Sequence, residues 1–156
     1  MLDDISIEIL QILQEKARIP NVEVARALGM APSAVLERIR KLEKQGYIDG
    51  YEVRLNPRKF SRSLVAFVRV RPESGADLDT LGRVFSSMPE VQEVHLVSGE
   101  DGFLVKVRVA DPEELGKMIQ ERFLSTAGVR GTRTSVALNT YKETARIPLE
   151  REIGEG

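Results

Sequence analysis

Residues 21–46 read NVEVARALGMAPSAVLERIRKLEKQG, and this stretch decides how the front of the chain folds. Ala25, Gly29 and Val35 stand at the spacing a helix-turn-helix needs. A small residue at 25 lets two helices cross closely. A glycine at 29 turns the chain through the left-handed conformation. A β-branched residue ten positions after the alanine packs the second helix back on the first. Pro20 and Asn21 break the chain and cap a helix over residues 22–28. Pro32, favoured in a first helical turn, opens another over residues 32–45, and Gly46 stops it. Ile39 and Leu42 continue its inner face, which leaves Ser33, Glu37, Arg38, Arg40, Lys41 and Lys44 outside. A helix of this kind enters the major groove of duplex DNA. The bland alternative is a three-helix bundle whose Arg/Lys face is merely solvated; the spacing, the short turn and the strand that follows favour DNA.

Working outward, Ile5, Ile9, Ile12 and Leu13 form one apolar stripe and predict a first helix over residues 6–17. Asp3, Asp4 or Ser6 caps it. Residues 48–55 alternate like a strand with Asp49-Gly50 as a tight-turn signal, which predicts a wing touching the DNA backbone. The residues assigned to DNA are Asn21, Ser33, Glu37, Arg38, Arg40, Lys41 and Arg54. Ser33, Glu37 and Arg38 are assigned to base edges or their neighbourhood, and Arg40, Lys41 and Arg54 to phosphate. Arginine spans the two acceptors of guanine, whereas lysine neutralises a phosphate.

From residue 64 the grammar changes. Strands are expected over residues 64–71, 91–98, 103–109 and 129–141, with helices over 77–88 and 111–125 between them. That order, βαββαβ, predicts a ferredoxin-like domain with helices on one sheet face. The whole is α+β: a winged helix-turn-helix over residues 1–55, a linker over 56–63, a ferredoxin-like domain over 64–142 and a polar tail over 143–156. The sheet face away from the helices is expected to carry Phe67, Arg69, His95, Val97, Ser135, Ala137 and Asn139. A face this mixed calls for a partner, most simply a second copy across a two-fold axis.

Composition narrows the chemistry. Of 156 residues, 42% are hydrophobic and 30% charged, as in a folded domain and unlike a disordered chain. No apolar run approaches the roughly 18 residues of a membrane helix. The start lacks the basic flank and apolar stretch of a secretory signal. Zero cysteines rule out disulfides and Cys-zinc sites and fit the cytoplasm. A single histidine, His95, argues against a zinc hydrolase or a His-based triad. No cofactor and no metal is expected. The net charge is −1, so a nucleic-acid footprint must be local. Residues 1–63 hold 11 Lys/Arg against 9 Asp/Glu, and residues 64–156 hold 12 against 15, the sign expected of a DNA-facing front half.

In four blocks the sequence resembles the Lrp/AsnC (feast/famine) family of transcription regulators: Asn21-Val22-Glu23-Val24-Ala25, Leu36-Glu37-Arg38-Ile39-Arg40-Lys41-Leu42-Glu43, Gly46-Tyr47-Ile48-Asp49-Gly50-Tyr51 leading to Leu55-Asn56-Pro57, and His95-Leu96-Val97-Ser98-Gly99. The resemblance implies a sequence-specific DNA-binding regulator whose C-terminal domain dimerises. It implies assembly into larger rings, commonly octamers, and an amino acid or other small molecule bound where dimers meet. Residues Gly99, Glu100, Asp101 and Gly102 correspond to the family's effector loop, and by analogy Thr132 and Thr134 add hydroxyls. The sequence departs from the family twice. Ala31 stands where a capping Ser or Thr is common, and Gly102 stands where the loop commonly has aspartate. Glu100 or Asp101 would then have to receive an effector's ammonium group, while glycine-turn N–H groups hold its carboxylate. Two rival functions remain on the same scaffold: a sirohaem-decarboxylase-like enzyme using His95, and an architectural protein that coats DNA with little sequence preference.

Overall fold

Asp3 sets the start of the first helix. Its Oδ1 accepts from the Ser6 N–H at 2.8 Å and caps α1 (Asp4–Glu15). The computed structural model describes residues 2–99 and 102–150, in two compact units. Of the described residues, the N-terminal unit takes those up to Arg54 together with Glu143 to Glu150; the second unit lies within Leu55–Lys142. In the first, α2 (Asn21–Leu28) and α3 (Pro32–Lys44) follow α1. Gly29 lies in the left-handed region at φ 64°, and the Met30 N–H returns to the Ala25 carbonyl at 2.9 Å. The same device ends α3: Gly46 has φ 76°, and the Tyr47 N–H bonds the Leu42 carbonyl at 2.9 Å. The core between the helices is Ile9, Leu10, Leu13, Val24, Ala25, Val35, Ile39 and Leu42.

Three local expectations change here. The buried residues of α1 are Ser6, Ile7, Ile9, Leu10 and Leu13, while Ile5 is exposed and Ile12 only half-buried. Leu10 sits beside Ile9 and Leu13 on a helix wheel, so the face has turned by about one residue. Asn21 is the first residue of α2 and not its cap; Pro20 holds the cap position without a side-chain hydrogen bond. Residues 48–55 form no strand and pair with none among the described residues. Instead the Tyr51 hydroxyl donates to Glu43 Oε1 at 2.9 Å, and burial, then Glu43, pushes the phenol pKa up to about 12.

The second unit opens with a 3-10 turn, Pro57–Phe60, capped by Asn56 Oδ1 on the Arg58 N–H. The segment read as a linker is thus ordered, and its Arg62 bonds both carboxylate oxygens of Glu114. There follow β1 (Leu64–Pro72), α4 (Leu78–Ser86), β2 (Val91–Leu96), β3 (Phe103–Val109), α5 (Pro112–Met118), a π-helical turn (Ile119–Phe123) and β4 (Val129–Val136). The sheet order is β2-β3-β1-β4 with every neighbour antiparallel, the ferredoxin-like arrangement. Asp77 caps α4 and Asp111 caps α5. The helices cover one face, where Phe85 meets Phe103 edge-on at 5.4 Å and Phe123 at 5.4 Å. Val68, Val70, Val105, Val107 and Val109 line the sheet side of that core and are fully buried.

Two strands are shorter than expected. β4 ends at Val136, and past it the Ala137 N–H reaches the Val65 carbonyl at 2.9 Å while Leu138 is fully exposed. β2 ends at Leu96, after which the Val97 N–H bonds the Gly102 carbonyl at 2.8 Å and closes the turn to β3. Val97, Ala137 and Asn139 therefore lie beyond the strands. The register puts Glu93, His95, Leu104, Lys106, Arg108, Phe67, Arg69, Arg133 and Ser135 on the uncovered face.

Gly102 is held at φ 78°, and a Cβ built there would overlap the Pro72 ring, lying 2.9 Å from its Cγ and 3.0 Å from the Val70 carbonyl oxygen. The backbone excludes a side chain at this position twice over, by conformation and by space. Gly102→Asp, which would install the carboxylate common in the family, is expected to destabilise the protein by about 1–3 kcal/mol. Thermal unfolding checks this. Adding Pro72→Ala should recover only part of the loss, because the positive φ persists.

Candidate functional site

The frame of the helix-turn-helix fixes which side of α3 is free. Ala25 is 2% exposed and Val35 is fully buried, so the residues between and after them point outward in a defined phase. Ser33, Glu37, Arg40, Lys41 and Lys44 are exposed. Lys41 and Lys44 fall in the last turn, where cations suit the helix dipole. Ala31 provides no side-chain cap to α3, and Pro32, lacking an N–H, removes one donor that would need it. Arg54 is exposed on the extended segment after α3, and Asn21 is half-buried at the start of α2.

Arg38 is the exception among the residues expected on the outer face. Its Nη1 donates to Asp3 Oδ2 at 2.6 Å and to Ser6 Oγ at 3.2 Å. The guanidinium is turned toward the start of α1. Hydrogen bonds from Ser6 and then from Arg38 hold the Asp3 carboxyl well below the ordinary carboxylate range. Asp3 thus caps α1 with one oxygen and pins the third helix with the other. Sequence reasoning missed this pair because its members stand 35 positions apart with no pattern joining them.

The expected effector residues are divided by the structure. Gly99 and Gly102 both have positive φ, at 124° and 78°, and flank the turn between β2 and β3. Glu100 and Asp101 lie outside the described residues. Thr132 and Thr134 are half-buried on β4, paired with Val70 and Val68 of β1. Because Val70 and Val68 belong to the covered face, both hydroxyls stand on the helix side of the sheet at its β4 edge. Val70 also pairs with Phe103, the residue after Gly102, so Thr132 is two strands from the turn, roughly 10 Å. Pro72, which sequence reasoning did not single out, fills the space beside Gly102.

His95 lies on the uncovered face with Nε2 3.2 Å from Glu93 Oε1, and Lys106 Nζ is 3.3 Å from the other oxygen of Glu93. The His95 hydrogen bond, then Lys106, lowers the Glu93 pKa. Among the described residues no three His, Cys, Asp or Glu side chains gather as a metal would require. No helix among them is long and apolar enough to cross a membrane.

Comparison with known proteins accounts for both units. Residues 2–49 match the family model described as winged helix-turn-helix DNA-binding, and residues 65–147 match the Lrp/AsnC ligand binding domain. The leucine-responsive regulatory protein of Escherichia coli is 38% identical over 151 residues, 96% of this chain and 92% of that protein. A transcriptional regulator of Neisseria meningitidis, solved in complex with L-methionine, superposes with a TM-score of 0.91 at 31% identity, over 96% of this chain and 97% of that one. The feast or famine regulatory protein of M. tuberculosis, also solved with L-methionine, gives 0.88 at 33% identity over 96% and 100%. With the Ala25-Gly29-Val35 turn in front and the antiparallel β2-β3-β1-β4 sheet behind, the chain belongs to the Lrp/AsnC family of DNA-binding transcription regulators.

Proposed function

We propose that this protein regulates transcription by reading specific duplex DNA with α3, as a dimer, under the control of an amino acid. The observation that carries the reading is the exposed row Ser33, Glu37, Arg40, Lys41 and Lys44 on a helix packed through Ala25 and Val35. Ser33 and Glu37 face base edges; Arg40, Lys41 and Arg54 neutralise phosphates; Asn21 supports the entry of α2 against the backbone. Arg38 reaches DNA only by leaving Asp3, so carboxylate and DNA compete for one guanidinium. A role on duplex DNA supports a cytoplasmic location, and His95 is assigned to the Glu93–Lys106 cluster and not to catalysis.

Gel shifts at several salt concentrations test the assignment. Lys41→Ala should weaken specific and non-specific DNA alike and reduce the salt slope by about one unit; Arg38→Ala should cost roughly 1–3 kcal/mol on the specific site. Asp3→Asn retains a capping oxygen but removes the competing charge, and is expected to tighten DNA binding. Weakened binding in Asp3→Asn would instead leave Arg38 as a clamp on α1.

Dimerisation is supported by the uncovered sheet face, where Phe67 is 37% exposed, and by apolar side chains left in water such as Val53, Leu55, Leu138 and Tyr141. Sedimentation at micromolar concentration should give a dimer or larger, with a monomer contradicting the reading.

For the effector, backbone N–H groups of residues 99–102 are proposed to hold the carboxylate of an amino acid, with Glu100 or Asp101 on its ammonium and Thr132 and Thr134 nearby. L-methionine, the ligand of the two solved relatives, is the first compound to test. Titration calorimetry with the twenty amino acids should give heat for at least one, and Asp101→Ala should weaken it by about 1.5–3 kcal/mol. No heat from any of them would make the regulator effector-independent, as the missing aspartate at 102 would then explain.

A further inference from the structure

Residues 143–150 lie along α1 inside the N-terminal unit, although the whole of Leu55–Lys142 separates them from it in sequence. Side-chain amides make the contact. Gln14 Nε2 donates to the Ile147 carbonyl at 3.0 Å, and Gln14 Oε1 accepts from the Ile147 N–H at 2.8 Å. One side chain thus satisfies both backbone groups of one residue, as a neighbouring antiparallel strand does. Three positions earlier, on the same helix face, Gln11 Nε2 donates to the Leu149 carbonyl at 3.0 Å. Between the two, Pro148 has no N–H to leave unsatisfied.

The two ends of the contact are specific in chemistry. α1 has no basic residue in its last turn, and Arg146 Nη2 donates to the Glu15 carbonyl at 3.3 Å, supplying a cation where the helix leaves its acceptors open. Leu149 is half-buried and packs against the helical core. The surface therefore fits an extended peptide with arginine, two backbone-anchored positions around a proline, and a leucine.

We propose that this face of α1 is a peptide-binding site whose resident occupant is the chain's own residues 146–149, and that their docking is a strap on the DNA-binding unit. Only six residues, 137–142, separate the end of β4 from the segment. The DNA-binding unit is therefore joined to the second unit twice, through residues 54–55 and again through the strand that carries Thr132 and Thr134. Residues 137–142 thus give β4 a covalent route to the segment docked on α1, apart from residues 55–63.

Hydrogen exchange on the full chain, without DNA, tests the site independently of the DNA-binding proposal. The Ile147 amide should be protected, and Gln14→Ala should speed its exchange by about tenfold, the scale of one or two hydrogen bonds. Gln14→Glu, which keeps the acceptor and loses the donor, should preserve much of that protection. Exchange of Ile147 at the free-peptide rate in the unmodified protein, or unchanged by Gln14→Ala, would overturn the site. In the double variant Gln11→Ala/Gln14→Ala, DNA affinity should fall several-fold with sedimentation unchanged. Unaltered DNA affinity despite lost protection would overturn the strap.

Discussion

The close crossing of α2 on α3 is the constraint on which the exposed basic face of α3 depends. It needs Gly29 in the left-handed region, so that three residues suffice to turn the chain, and Ala25 at the contact, so that Val35 can be buried against it. A β-branched residue at 29 would be strained, and a longer turn would let α3 rotate. Rotation by one residue would bury Arg40 or expose Ile39, and the basic row would no longer lie on one side. The Asp3–Arg38 pair then ties the third helix to the first, so all three helices share one phase.

Much of this was legible in the sequence because it is local. The positions of Gly29, Pro32 and Gly46 bound the two helices to within a residue or two, and the period-two rows of β1 and β3 gave their buried faces. Asp77 and Asp111 announce the helices they cap. What escaped reading is non-local or needs a partner. Alternation over residues 48–55 speaks of extended backbone, but alternation alone does not supply a strand to pair with. The π turn after α5 is invisible to a helical period that Leu115, Met118 and Phe123 satisfy either way.

At the turn between β2 and β3 the sequence signalled an absence, and the structure supplies its physical counterpart. Gly102 reads as a lost aspartate when only the loop is considered. With Pro72 packed over it, glycine is what the neighbouring strand permits. The two positions form one steric unit across the β1–β3 pair, so the chemistry of the loop cannot be altered at 102 alone. The same logic separates Thr132 from Thr134: both face the helices, but only Thr132 shares a row with Phe103 and so with the turn.

The return of residues 143–150 to α1 also bears on how the protein is made. The three helices are synthesised before the four strands, yet the segment that completes their unit is made after all four. At 5–20 residues per second, roughly 5–20 s separate the synthesis of α3 from that of Ile147. Through that interval the amides of Gln11 and Gln14 face water, and the nascent chain carries an unfinished helical unit. The helical unit is thus completed only after the strands of the second unit have been made.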